Sequence, residues 1–533
     1  MTIVFRDFLS IICAIANSAK AFNRKVVVMS TYIISIDIGT QGTKAALFDV
    51  EMNLIDTAFE VSNLVSPEPG TIWQEPDEMY AAAAHVCREL LEKTGIHPGD
   101  VAAIGLDGQM AGIMGIDKSG AASTVYDSWL DMRCGPYMEQ MDRIAGERVV
   151  ALSGGQVTYV HGPKILWWKN ERPDAYRNTA KWVLPHAYIV GRMCNLDAEH
   201  AYFDYTHLHF SCLSDNANKR WSDELLETFG IEKDKMARIV SPFDVVGHIA
   251  EEFSRLTGLP TGIPVVAGCG DTAASTFGSG MFEREMVLDC AGTASVLCSV
   301  VDSFNPDIEH RTLTMMRSPI DGLYLPLAYI GGGGLCVRWF RDELSGKPGA
   351  DYDTLMAEAE KIGCGSEGLI FVPHFAGRVL PCNPNLKGAW LGLDLKHTRA
   401  HMYRSVMESI AYEYDYYLSV LRSLYPQDHF TEMLTIGGGA KSPLFNQIKA
   451  DVLGLKVSTY EMGETALIAG AVIAGVGAGV LTDYAAPIRA AIAKGREFIA
   501  DPAHHEAYRP YAKAYLNSMT HLTDFYKNQE IYR

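Results

Sequence analysis

The chain has 533 residues, of which 48% are hydrophobic and 21% charged, and a formal net charge of -18. That length exceeds what one compact core holds, so two or more domains are expected, and the acidic balance argues against nucleic acid or an anionic membrane as partner. Eleven cysteines, scattered without a CxxC pair, read as free thiols of a reducing cytoplasm rather than a disulfide framework.

In chain order, residues 1–28 carry an apolar stretch at 8–16 between basic residues, in the manner of a weak signal peptide. Met29 stands just ahead of the first core strand, so the expectation is a disordered extension or an alternative start. From Tyr32 an apolar strand ends in Gly39-Thr40-Gln41-Gly42-Thr43-Lys44, and strands at 45–50 and 54–61 follow as a meander. Helical periodicity at 77–93 begins behind Pro76. The strand at 101–106 then delivers Asp107-Gly-Gln109-Met110-Ala111-Gly112 at its carboxyl end, where open α/β sheets bind ligands. A further strand is expected at 262–268, a helix-compatible segment at 269–280, and a domain boundary near 282–285.

The second half repeats this logic. Strands at 286–300 contain the turn Gly292-Thr293, a glycine turn falls at 331–334, and helices are expected at 351–362 and 399–421. A strand then runs into Gly437-Gly438-Gly439-Ala440, with helix-like residues from Asn446 to Asp451. The uncharged stretch 466–481 is shorter than the roughly 20 residues of a membrane span and is glycine-rich, so it reads as a buried helix breaking at 475–479. Strands that end in Gly-Thr turns can present N–H groups and hydroxyls to phosphate. Two such turns and a third glycine strand end point to a nucleotide held between two related, hinged domains.

The motifs, in their order and spacing, resemble the FGGY family of carbohydrate kinases, within it the xylulokinases. The likeness runs from Tyr32 to about Ala500. Beside the three glycine motifs it rests on Gln109-Met110, Trp129-Leu-Asp-Met-Arg133, Gly162-Pro-Lys-Ile-Leu-Trp167, Leu184-Pro185 and Lys219-Arg-Trp-Ser222. It continues in Gly268-Cys-Gly-Asp-Thr-Ala273, Gly368-Leu-Ile-Phe-Val-Pro373, Glu408-Ser-Ile-Ala411 and Gly463-Glu-Thr-Ala466.

The resemblance implies an α/β fold of two actin-like (ribonuclease H-like) ATPase domains around a central cleft. Residues 29–283 would bind the sugar and carry the first phosphate loop and the catalytic base, residues 284–500 would bind nucleotide, and 501–533 would form a tail. It further implies that Asp271 is the general base, since a sugar hydroxyl must lose its proton as it attacks phosphorus, and that Asp37 contacts Mg²⁺. Gly39, Thr40, Gln41, Gly42, Thr43 and Lys44, with Gly292 and Thr293, would cradle the terminal phosphates of ATP, although Lys44 also reads as a surface charge. Gly437, Gly438, Gly439 and Ala440 would pass close to the nucleotide, glycine leaving space for it, with Asn446 nearby. Gln109, Met110, Ala111, Trp129, Asp131, Arg133, Trp73 and Asp271 would line the sugar site; Trp73 reads equally well as core packing.

The implied cofactors are ATP and Mg²⁺, the implied location cytoplasmic, and the implied assembly a homodimer. D-xylulose is the expected acceptor, but Ala111 stands where xylulokinases carry histidine, Leu130 where the family has asparagine, and no glutamate lies between Gly377 and Arg378. Each change weakens a site that discriminates by hydrogen bonds, so ribulose, L-xylulose, erythritol and glycerol stay open, as does a non-catalytic sugar or nucleotide sensor. A chaperone-type ATPase would need a peptide-binding domain, for which the residues after Ala500 are too few. A dinucleotide fingerprint at 268–273 with Asp289 fails, because the intervening segment is too short for a good helix and turn. No histidine spacing suggests zinc.

Overall fold

The computed structural model describes residues 31–345, 351–461 and 464–528. The expected N-terminal extension and Gly463 of the Gly-Glu-Thr-Ala motif lie outside them. The first strands are β1 (Tyr32–Ile38), β2 (Gly42–Asp49) and β3 (Leu54–Val61), an antiparallel meander. Helix α1 (Pro76–Thr94) follows, started by a proline at its N-terminus and closed by Gly95 in the left-handed region. Next in this sheet come β4 (Val101–Gly108), β5 (Val245–His248), β6 (Pro264–Val266) and the two-residue β7 (Cys269–Gly270), which leads into α2 (Asp271–Gly278). The strand order is β5-β6-β4-β1-β2-β3, with β7 also paired to β4.

The second sheet repeats the plan. It contains β8 (Val287–Ala291), β9 (Ser295–Ser299), β10 (Thr314–Arg317) and β11 (Tyr324–Ile330). After α3 (Gly333–Trp339) and the long α4 (Arg399–Leu424) come β12 (Glu432–Ile436), α5 (Pro443–Leu453) and β13 (Lys456–Glu461). The chain then forms α6 (Thr465–Gly477), β14 (Ala493–Phe498) and α7 (Pro502–Lys527). The order β10-β11-β9-β8-β12-β13-β14 gives β8 the neighbours that β1 has, an antiparallel β9 and a parallel β12.

Helix α6 is the uncharged segment singled out in the sequence. It is buried between the two sheets, packed on β1, β4 and α2 of the first domain, and shares one core with Leu288, Cys298 and Leu434 of the second. Glycine permits this close approach: a Cβ on Gly105 of β4 would sit 2.3 Å from the Gly470 carbonyl oxygen. The expected boundary near 283 falls between α2 and β8, but the chain returns to the first sheet through α6. No helix among the described residues is long and apolar enough to cross a membrane.

The segment expected as a tail is a folded part of the second domain. Asp501 caps α7 through the Ala503 and His504 N–H groups, and Tyr508, Ala512, Tyr515 and Met519 are buried in the second core. Their spacing of three and four residues makes one apolar stripe, which packs against α4 and α5.

Candidate active site

Three acidic residues meet at the carboxyl ends of neighbouring strands. In the parallel pair β1 and β4, Asp37 lies opposite Asp107. Strand β7 pairs with β4 at Cys269 and Gly270, so Asp271 follows directly beside them at the start of α2. Asp107 is fully buried, and neither of its oxygens has a hydrogen-bond partner among the described residues.

The electrostatics follow from this crowding. Burial, then the charge of Asp271, lifts Asp37 to about 7, while the neighbouring Asp107 carboxyl and Lys44 pull the other way. Burial, then Asp37 and Asp271, holds Asp107 well above the usual carboxylate range. Asp271 is raised by burial and restrained by the Thr272 hydroxyl and N–H and by His207. A raised carboxylate is a stronger base near neutral pH. Lys44 lies opposite Asp37 across the hairpin, and its ammonium bonds Glu464 Oε1 at 2.5 Å, so an ion pair to the N-terminal end of α6 engages the lysine expected at phosphate.

A polar chain joins the first Gly-Thr turn to the expected sugar segment. Trp129 Nε1 donates to Thr40 Oγ1 at 2.9 Å, Thr40 donates to Gln109 Oε1 at 3.1 Å, and Gln109 Nε2 donates to Gln74 Oε1 at 2.7 Å. The turn closes on itself through Gly39 N–H to the Gly42 carbonyl, 3.0 Å; Gln41 at its tip is exposed and Thr43 is buried in β2. Met110 packs on Gly270, where a Cβ would lie 2.5 Å from its sulfur, and Ala111 adopts the left-handed backbone, φ 63°.

Asp131 and Arg133 are occupied by one another. The Asp131 carboxylate accepts from Ile72 N–H and Arg133 Nε, each at 2.8 Å. The guanidinium also bonds Asp127 and lies 4.2 Å from the Trp167 ring centroid and 5.6 Å from that of Trp73. Lys164, fully buried, donates to the Ser128 and Asp131 carbonyls. Trp73 is half-buried and donates to Glu75 at 3.1 Å.

In the second domain, Gly292 and Thr293 receive the N–H groups of Gly334 and Leu335 from the first turn of α3, at 3.1 and 2.8 Å. Gly437 has φ 85°, and a Cβ there would lie 2.9 Å from the Ala291 carbonyl oxygen; one on Gly439 would meet Ala291 Cβ at 2.5 Å. Their lack of a side chain accommodates the neighbouring strand. Gly438 follows Gly437 in the turn, and Asn446 is buried and donates to the Ala440 carbonyl at 2.9 Å.

Asp107 is the first of four residues of this site that are not among the sequence-derived candidates. Its signal was present, an acid at the end of an apolar strand, but its alignment with Asp37 depends on a pairing across about 70 residues that no local pattern encodes. Gln74, Glu464 and Asp127 join the site for the same reason.

Two duplicated α/β domains with an acid cluster at strand ends beside glycine turns define a two-domain phosphotransferase of actin-like architecture. The models for the N-terminal and C-terminal domains of the FGGY family of carbohydrate kinases match residues 32–278 and 290–478, and the chain belongs to that family. It is an ATP-dependent sugar kinase. It is 24% identical to a xylulose kinase of Bacillus subtilis over 92% of this chain and 97% of that protein, and 25% identical to a gluconokinase of the same organism over 84% and 88%. The solved xylulose kinase from Rhodospirillum rubrum superposes with a TM-score of 0.85 at 25% identity, covering 93% of this chain and all of that one.

Proposed function

We propose that this kinase transfers the γ-phosphate of ATP to a hydroxyl of an uncharged ketose, D-xylulose, with Asp271 as general base. The observation that carries this reading is the alignment of Asp37, Asp107 and Asp271 at adjacent strand ends. Asp271 accepts the proton of the acceptor hydroxyl as its oxygen attacks the γ-phosphorus, and ADP leaves on the opposite side. Backbone N–H groups of the Gly-Thr turns at 39–44 and 292–293 would serve the phosphates, the Thr40 hydroxyl being held by Gln109.

A divalent cation suits the donor set. Two carboxylates side by side, the half-buried Asp37 and the fully buried Asp107 with both oxygens unpartnered, are hard oxygen ligands of the kind Mg²⁺ takes, and together they would hold it. Bound there, the ion would neutralise charge on the phosphates. Closure of the two domains would keep water from the same proton acceptor.

Uncharged acceptors are favoured over aldonates such as gluconate by a specific feature. Both cations of the sugar segment, Arg133 and Lys164, are engaged by Asp127, Asp131 and backbone carbonyls, which leaves neither to balance a substrate carboxylate. Sugar-dependent ADP release with Mg-ATP, across D-xylulose, D-ribulose, L-ribulose, L-xylulose, glycerol, erythritol and gluconate, tests the proposal. D-xylulose should stimulate most. Strong stimulation by gluconate would refute the uncharged-acceptor assignment, and silence with intact ATP binding would favour a sensor.

A further inference from the structure

Behind the turn that carries Asp271 lies a buried polar network that the reaction does not directly use. Its centre is Asp204, at the end of the short strand Tyr202–Asp204, followed by the turn Tyr205–Phe210. Asp204, Thr206, His186 and His207 are all completely buried. One Asp204 oxygen, Oδ1, accepts from the Thr206 N–H at 3.0 Å and from the Thr206 hydroxyl. The other, Oδ2, is bonded to His186 Nε2 at 3.1 Å and His207 Nδ1 at 2.8 Å, and the two imidazoles stack with centroids 5.3 Å apart. Burial alone would raise Asp204, but the two histidines hold it well below the usual carboxylate range. It is therefore an ionised acceptor that fixes the protons of everything around it.

The network is hydrogen-bonded to the backbone just before Asp271. Gly270 N–H donates to Thr206 Oγ1 at 3.0 Å. Since that oxygen receives the amide, its own proton is directed to Asp204, and the chain Gly270 N–H, Thr206 O–H, Asp204 has one polarity. Gly270 is the residue before Asp271 and the last of a strand only two residues long. Such a strand has little of its own to set its orientation, so the Thr206 bond adds a directional restraint on where α2 begins to the packing of α2 on α6.

We propose that Asp204 and Thr206 are positioning residues for phosphoryl transfer: Asp204 orients the Thr206 hydroxyl, which pins the Gly270 amide and so fixes the direction of the Asp271 carboxylate. His186 and His207 keep Asp204 in place and ionised. This inference rests on the assignment of Asp271 as the base. Displacement of a reacting group by about 1 Å can cost on the order of a hundredfold in rate, so a restraint on this turn acts on turnover rather than on substrate affinity.

The test compares the wild type with Thr206→Val, which keeps the shape and removes the hydroxyl, and Thr206→Ser, which restores it. Asp271→Ala and the double variant D271A/T206V complete the set. Two readouts are taken: steady-state kinetics with the most active acceptor of the panel, and amide hydrogen exchange of the peptide spanning 268–274, which needs no acceptor. T206V should lower kcat by about tenfold or more with the KM values for ATP and acceptor unchanged, and should speed exchange of that peptide. T206S should return both to near wild type, and T206V should have no further effect on turnover when added to D271A. A T206V protein with wild-type kcat and exchange overturns the positioning role while leaving a silent D271A to support the base. A D271A protein with near-normal turnover overturns the base and the positioning role together.

Discussion

The two domains share a plan, yet they treat the acid on their first strand in opposite ways. In the second domain Asp289 of β8 is completely buried and saturated: Lys449 Nζ is 2.6 Å from one oxygen and the Tyr414 hydroxyl 2.6 Å from the other. In the first domain Asp37 faces a second carboxyl, Asp107, with no hydrogen-bond donor to either Asp107 oxygen among the described residues. A buried acid is tolerated when it is paired, when it stays protonated, or when it serves a ligand, and Asp107 is held toward the protonated form. The two strands thus carry a paired acid in one domain and, on the proposed reading, a cation-binding acid in the other; Asp37 stands two residues before its Gly-Thr turn and Asp289 three, so the two acids leave opposite faces of their strands.

The comparison can be broken by substitution, starting with the largest effects. Asp271→Ala should lower sugar-dependent turnover by about a hundredfold to ten-thousandfold, the range of a lost general base, with ATP binding retained by calorimetry. Lys449→Met should leave Asp289 in the second core without its ammonium partner, at a cost of about 3–5 kcal/mol in urea unfolding. Asp37→Asn should do the reverse, removing activity without loss of stability. If K449M were tolerated and D37N unfolded the protein, the structural and functional labels would have to be exchanged.

Smaller effects sharpen the contrast. Asp37 is raised to about 7, so the folded state keeps a proton that the unfolded chain releases near the ordinary carboxylate value. The folded protein binds more protons between those two values, and stability falls as pH rises through that window. The contribution of this centre to the melting temperature without metal should therefore decline from pH 5 to pH 8. Asp107→Asn should raise melting at pH 8 and flatten that decline. Added Mg²⁺ should stabilise the wild type more at pH 8 than at pH 6, because protons compete for the same oxygens, and D107N should lose most of that gain.

Much of this was legible in the sequence because the signals are local. The meander, α1, β4 and the long α4 follow from apolar periodicity and from their punctuation by Pro76, Gly95 and the Gly-Thr turns. The candidates Asp37, Gln109 and Asp271 stand at strand ends that could be read directly. What could not be read depends on contacts between distant segments. The alignment of Asp107 with Asp37 is a matter of strand register. The position of α6 between the sheets depends on Gly105 and Gly470 meeting across the chain, and the saturation of Asp131 depends on Arg133 being folded back under Trp167. What the apolar stripe of α7 covers is set by α4 and α5, so residues 501–533 read in sequence as a tail.

The most direct test of the central claim is ADP release with Mg-ATP measured for the wild type and D271A across the acceptor panel including gluconate. The account predicts strong stimulation by an uncharged ketose, greatest for D-xylulose, no response to gluconate, and loss of the response in D271A. A wild type that answers to gluconate and not to the ketoses, or a D271A protein as active as the wild type, would contradict it.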